Sequence, residues 1–325
     1  MPEMILREAM NKALREALDE YKDAFIMGED VGAYGGAYAV TKGLLEEFGP
    51  ERVKDTPISE SAFVGSGIGA ALAGLKPIVE IMSINFSLLA IDQIVNHAAR
   101  FRYMSDGQFT VPLIIRTVTG GGGQLGATHS QSFESWYASV PGLKVVVPAT
   151  PYDALGLFRT AMKDQNPIIF AEHSLLYNTK GEVPDEWYEI PFGRAALKRE
   201  GDDVTIIAYS GMTRVAIEAA DKLAELGRNA EVLDLRTISP WDKEAVLRSV
   251  RKTNRAVVVE ERWRTGGFAG EIASTIHEEA FDDLDGPVVR VAGKDVPTPY
   301  AGNLEDATIP NANDVVRAIR INFGI

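Results

Sequence analysis

Short, continuously apolar runs recur along this chain with helical segments between them, and this alternation limits the fold more than any single motif does. Ala24-Phe25-Ile26-Met27, Pro77-Ile78-Val79-Glu80-Ile81-Met82, Val111 to Val118, Lys144-Val145-Val146-Val147 and Pro167-Ile168-Ile169-Phe170-Ala171 read as mostly apolar strands without polar alternation. A strand that is apolar on both sides must be covered on both sides, which predicts parallel sheets flanked by helices. Leu6, Met10, Ala13, Leu14, Ala17, Leu18 and Tyr21 recur at helical spacing and predict an amphipathic helix over residues 4–21. Residues 44–48 read as a helix stopped by Gly49-Pro50, and a helix holding Leu89, Ile91, Ile94, Val95 and Ala98 follows Asn85-Phe86.

Residues 175–200 break the rhythm with Gly181, Pro184, Pro191, Gly193 and many charges, so a domain boundary is expected there. The alternation then restarts. Strands are predicted at 204–209, 230–235, 256–260 and 288–292, and helices at 213–226, 241–250, 268–280 and 311–321. The fold class is therefore α/β with two parallel-sheet domains, 1–185 and 186–325.

At 325 residues the chain can build two such cores. A net charge of −13 argues against nucleic acid as the main partner, and no apolar run is long enough to span a membrane. The absence of Cys excludes disulfides and thiolate metal sites. It fits a reducing cytosol, and equally a thermophile shedding labile residues. Met1-Pro2-Glu3-Met4 runs straight into the first helix without a signal- or transit-peptide pattern, so the expected location is cytoplasmic.

The stretch Lys54-Asp55-Thr56-Pro57-Ile58-Ser59-Glu60-Ser61 leads into a Gly- and Ala-rich helix. Pro57 pushes Thr56 to an extended conformation, and Ser59 or Ser61 can cap the helix, which puts Glu60 at its N-terminus. Each interior Gly costs roughly 1 kcal/mol of helix stability, a cost accepted where a backbone or ligand comes close. Glu60 has two readings: complement to the helix dipole, or a buried acid that shares a proton with a cofactor ring.

Gly65-x-Gly67-x-x-Ala70 has the spacing of a dinucleotide fingerprint, but no strand precedes it, so close helix packing is preferred to an NAD site. Gly121 to Thr128 has the spacing of a phosphate loop with Ala127 where Lys is required. The loop ends in His129, flanked by Thr128, Ser130 and Gln131, which favours an exposed, functional histidine over a plain surface loop. His97, His173 and His277 have no comparable setting. Phe86 lies past a strand end, where it is either a core aromatic or a ligand platform. Met162 to Pro167 is a polar turn whose carbonyls can hold a monovalent cation or simply stop a helix.

Gly28-Glu29-Asp30-Val31, Asp55-Thr56-Pro57-Ile58-Ser59-Glu60, Asn85-Phe86-Ser87, Ala90-Ile91-Asp92-Gln93, His129-Ser130-Gln131, Leu235-Arg236-Thr237-Ile238-x-Pro240 and Asp295-Val296-Pro297-x-Pro299-Tyr300 stand in one order. Together they resemble the beta subunits of the thiamin-diphosphate-dependent 2-oxo acid dehydrogenases over essentially the whole chain. Pro299-Tyr300 and Leu304-Glu305-Asp306 look more like the pyruvate branch than the branched-chain one, with acetoin dehydrogenase close behind. The resemblance implies a thiamin-diphosphate pyrimidine-binding domain followed by a transketolase-C-terminal-like domain. It implies that Glu60 hydrogen-bonds a ring nitrogen of the aminopyrimidine, that Phe86 packs on that ring, and that Glu29 lies near the cofactor. It makes His129 the proton donor when the acyl group passes to the lipoyl arm, and puts Asp92 among acids between paired sites. Leu113, Ala161, Met162, Asp164 and Asn166 match a potassium site.

The Gly-Asp-Gly motif that holds magnesium and the diphosphate in this fold is missing. Gly201-Asp202-Asp203 and Ser105-Asp106-Gly107 do not complete it. An alpha subunit is therefore expected to hold the magnesium and the diphosphate half, in a heterotetramer of two alpha and two beta chains docked on a dihydrolipoyl acyltransferase core. The expected activity is oxidative decarboxylation of a 2-oxo acid, pyruvate first. An NAD-binding oxidoreductase and a non-catalytic scaffold subunit are the rival classes.

Overall fold

A computed structural model describes residues 2–325. By contact the chain divides into two units. One holds residues up to 119 together with Trp136–Phe192; the other holds Gly120–Ser135 together with Gly193–Ile325.

The first unit contains β1 (Glu3–Ile5), β2 (Ala24–Gly28), β3 (Val53–Asp55), β4 (Lys76–Ile81), β5 (Ile114–Thr119), β6 (Lys144–Val146), β7 (Ile168–His173) and β8 (Lys180–Glu182). Strands β6, β7, β5, β4, β2 and β3 lie side by side in that order, all parallel. β5 and β7 are buried along their whole length, and the charges they bury, Arg116 and Glu172, pair with each other and with Glu80 of β4. The helices Leu6–Glu20 and Pro151–Ala161 cover one face, burying Leu6, Met10, Leu14 and Leu18 with Leu155, Leu157 and Phe158. Thr150 caps the second of these helices through the Asp153 amide, with Pro151 in the first turn. β1 and β8 form a separate antiparallel pair.

Two local expectations change. β5 starts at Ile114, not Val111, because Pro112 has no N–H to give the ladder. The helix expected over 89–98 is instead a 3₁₀ segment, Ile84–Ala90, followed by a π-helical turn, Gln93–Ala98. Leu89 and Ile91 are exposed there, so their helical spacing does not mark a core face.

The second unit contains β9 (Ala196–Arg199), β10 (Val204–Ala208), β11 (Ala230–Asp234), β12 (Thr237–Ser239), β13 (Ala256–Trp263) and β14 (Val289–Gly293). Its five-stranded sheet runs β14-β13-β10-β11-β9, parallel except for β9, which pairs antiparallel with β11. The helices Gly211–Glu225 and Ala312–Phe323 bury Val215, Ala219, Leu223, Val315 and Ile319 against it. β9 was not expected. It is an edge strand carrying Lys198 and Arg199, so its sequence lacks the apolar signature of the central strands. No helix among the described residues is long and apolar enough to cross a membrane.

Candidate active site

Register brings the ends of three neighbouring strands level: Gly28 of β2 stands opposite Asp55 of β3 on one side and Glu80 of β4 on the other. Ligands of parallel sheets collect at such carboxyl ends. Asp55 accepts from the Gly32 amide at 2.6 Å and the Ala33 amide at 3.2 Å, which pins the glycine-rich loop after β2. A Cβ on Gly32 would stand 2.7 Å from the Asp55 carboxylate, so this close approach requires glycine.

Glu60 is the first residue of the helix Glu60–Leu72 and is 4% exposed. Ser59 takes the N-cap position but its side chain makes no cap hydrogen bond, and Ser61 is exposed. Glu29, next after β2 and 7% exposed, has an unpartnered Oε1. Burial raises its carboxyl pKa above the ordinary range, and the charges of Glu60 and then Asp30 raise it further. Asn85, buried just past β4, accepts from Ser83 Oγ at 2.8 Å while its Nδ2 has no partner. Buried polar groups are normally satisfied, so the unpartnered Glu29 Oε1 and Asn85 Nδ2 mark a place suited to a polar ligand. Phe86 is half-buried on the 3₁₀ segment.

His129 belongs to the second unit and is exposed; its Nδ1 lies 2.9 Å from Thr128 Oγ1. The loop that bears it closes through Gly120 N–H to the Gln131 carbonyl. The Gly121 amide donates to Glu261, and the amides of Gly122 and Gln124 donate to Glu305. These are the donors a phosphate loop would offer an anion, and carboxylates of the chain itself occupy them. His173 Nδ1 accepts from the Leu175 amide, and His277 Nδ1 lies 2.7 Å from the Ala273 carbonyl. Asp92 is exposed and holds Asn96 and His97.

Gly65, Gly67 and Ala70 lie inside the helix Glu60–Leu72, not on a strand-to-helix turn. A Cβ on Gly67 would come 2.6 Å from Val79 of β4. The glycine there serves helix-to-sheet packing, and the NAD reading falls.

The cation set is already served by side chains. Lys76 Nζ donates to the Met162 carbonyl at 3.1 Å, Lys144 pairs with Asp164, and Arg102 donates to Asn166 Oδ1 at 2.7 Å. Burial alone would raise the Asp164 carboxyl pKa, but hydrogen bonds from Lys144 and Asn166 hold it below the ordinary range. The Leu113 carbonyl accepts from Ile168, and that of Ala161 from Asp164. In this arrangement the side chains of Lys76, Lys144 and Arg102 stand at the positions of the expected potassium site.

Residues 3–180 match the transketolase pyrimidine-binding domain and residues 193–315 the transketolase C-terminal domain. The beta-1 subunit of the mitochondrial pyruvate dehydrogenase E1 component of Arabidopsis thaliana is 50% identical over 97% of this chain and 88% of its own. The corresponding beta subunit of Rickettsia felis is 47% identical over 98% of both. The chain belongs to the family of pyruvate dehydrogenase E1 beta subunits. Among solved structures, a split-gene transketolase described as an inactive beta4 tetramer superposes with a TM-score of 0.81 at 25% identity, over 99% of this chain and 98% of that one. Transketolase from Campylobacter jejuni shares the fold, with a TM-score of 0.73 at 15% identity over 98% of this chain and 46% of that one. As an E1 beta family member the chain carries Glu29, Glu60 and Phe86 within its first unit and His129 within its second.

Sequence reasoning missed three groups. Asn85 and Glu305 stand in the sequence only as members of longer motifs, with nothing local to single them out. Glu261 and Glu305 act on amides more than 130 residues away along the chain, which no local pattern can signal.

Proposed function

We propose that this chain is the subunit that holds the pyrimidine half of thiamin diphosphate in a pyruvate dehydrogenase, active only with an alpha subunit. The reaction is oxidative decarboxylation of pyruvate with transfer of the acetyl group to a lipoyl arm of a dihydrolipoyl acyltransferase core. The observation that carries this reading is the buried Glu60 beside Glu29, whose Oε1 is unpartnered, at the carboxyl ends of β2, β3 and β4.

When bound, thiamin diphosphate supplies the nucleophilic carbon and the electron sink for decarboxylation. Glu60 would hold a ring nitrogen of its pyrimidine. In a site shielded from water a carboxyl group shares a proton with such a nitrogen instead of releasing it to solvent. Burial and then the Glu60 charge raise the Glu29 carboxyl pKa, which couples the two carboxylates. Phe86 would pack on the ring. His129, exposed and held by Thr128, would donate the proton during transfer to the lipoyl arm. Magnesium and the diphosphate half are assigned to the alpha chain, in a heterotetramer of two alpha and two beta chains. Residues 1–185 are assigned to the pyrimidine and 186–325 to assembly. A potassium ion belongs to this reading only if Lys76 leaves the Met162 carbonyl. The compartment is assigned as the cytoplasm, in line with the bacterial relatives.

Glu60→Gln tests the reading directly. In the assembled heterotetramer it should lower pyruvate decarboxylation at least 100-fold with subunit assembly intact. Turnover within a few fold of the parent would remove Glu60 from the reaction.

A further inference from the structure

The segment Gly120 to Ser135 holds five glycines and the histidine assigned to acyl transfer. A chain this rich in glycine is expensive to order, because glycine loses more conformational freedom than any other residue. Gly122 and Gly126 take positive φ, at +85° and +76°, and Gln124 joins them at +55°. Such a loop needs external anchors if it is to present His129 in one place.

The second unit supplies two. Glu305, 1% exposed, accepts from the Gly122 amide through Oε1 at 3.0 Å and from the Gln124 amide through Oε2 at 2.8 Å. Glu261 accepts from the Gly121 amide at 2.5 Å. Amide-to-carboxylate hydrogen bonds are charge-assisted and about twice as strong as neutral ones. Glycine at 121 is part of the device. A Cβ there would meet Ile309 at 3.0 Å and the Glu305 carboxylate at 3.5 Å.

We infer that Glu305, with Glu261 as a second anchor, is a positioning residue that fixes the conformation of the Gly120–Ser135 loop and so the placement of His129. The inference rests on the reading of His129 given above for its catalytic consequence, though not for the anchoring itself. It assigns Glu305 no contact with substrate or cofactor.

The test is Glu305→Gln in the assembled alpha–beta enzyme, compared with Glu261→Gln and His129→Ala. A glutamine at 305 keeps one acceptor oxygen and turns its NH₂ toward one of the two amides. Hydrogen exchange of the peptide spanning Gly120–Gln131 should speed up at least tenfold, while exchange in β10 stays at the parental rate. The ratio of lipoyl-domain acetylation to decarboxylation with an artificial electron acceptor should fall at least fivefold, as is expected of His129→Ala. Unchanged loop exchange in Glu305→Gln overturns the anchoring. Faster loop exchange with an unchanged ratio overturns the link to His129 when His129→Ala does lower the ratio. If His129→Ala leaves the ratio unchanged, the acyl-transfer role of His129 falls, and exchange alone decides the anchoring. Should Glu305→Gln fail to assemble, loop exchange in Glu261→Gln decides in its place, in the same two directions.

Discussion

Glu60 is the residue on which the proposed chemistry turns. A carboxylate that merely served the helix dipole would sit in water or accept from the free amides of the first turn. Glu60 is instead 4% exposed beside Glu29, where a ligand that donates a hydrogen bond would satisfy it. Of the two sequence readings, the geometry supports the second. Glu60 was legible because Pro57, the serines and the glycine-rich helix frame it within a dozen residues. Its coupling to Glu29 was not, because that depends on the register of β2 beside β3. Phe86 adds the apolar part of the site. Phe86→Ala should weaken thiamin diphosphate binding by about 1–3 kcal/mol, roughly 5- to 150-fold in Kd, in a calorimetric titration of the assembled enzyme. An unchanged Kd would take Phe86 out of the site.

Among the elements, the central strands were readable because each carries a short, mostly apolar run, whereas β9 and the 3₁₀–π segment were not. β9 is an edge strand with charged side chains. The 3₁₀–π segment carries apolar residues at helical spacing and still turns Leu89 and Ile91 outward, so periodicity alone gave the wrong face. A buried carboxylate caps the helix Phe268–Ala280: Glu260 Oε2 accepts from the Ala269 amide at 3.1 Å and from the Tyr209 hydroxyl at 3.1 Å. Burial pushes its pKa up to about 7 despite these hydrogen bonds. The folded state thus holds a proton that the unfolded chain, at an ordinary carboxyl value near 4.5, has released. The stability it contributes is present in full below pH 4.5 and is lost as pH rises to about 7, on the order of 3 kcal/mol. Denaturant unfolding of parent and Glu260→Gln should therefore diverge across that window, the parent losing stability relative to the variant as pH rises. Parallel curves would show that Glu260 does not titrate there.

At the scale of the whole molecule, a net charge of −13 coexists with large apolar side chains left in solvent on the first unit. Ile58, two residues before Glu60, is 82% exposed, and Leu89, three residues after Phe86, is 64% exposed. Apolar side chains left exposed so close in sequence to the candidate site fit a surface that another chain covers. Among the described residues no cluster of His, Asp and Glu could hold a metal ion. The central claim is that the cofactor site is divided between chains. Calorimetric titration of thiamin diphosphate with magnesium, into this chain alone and into its co-expressed complex with an alpha subunit, tests it most directly. The account predicts no measurable heat of binding with the chain alone and tight binding with the complex, lost in Glu60→Gln. Tight binding to the chain alone would contradict it, because the chain would then hold the diphosphate half by itself.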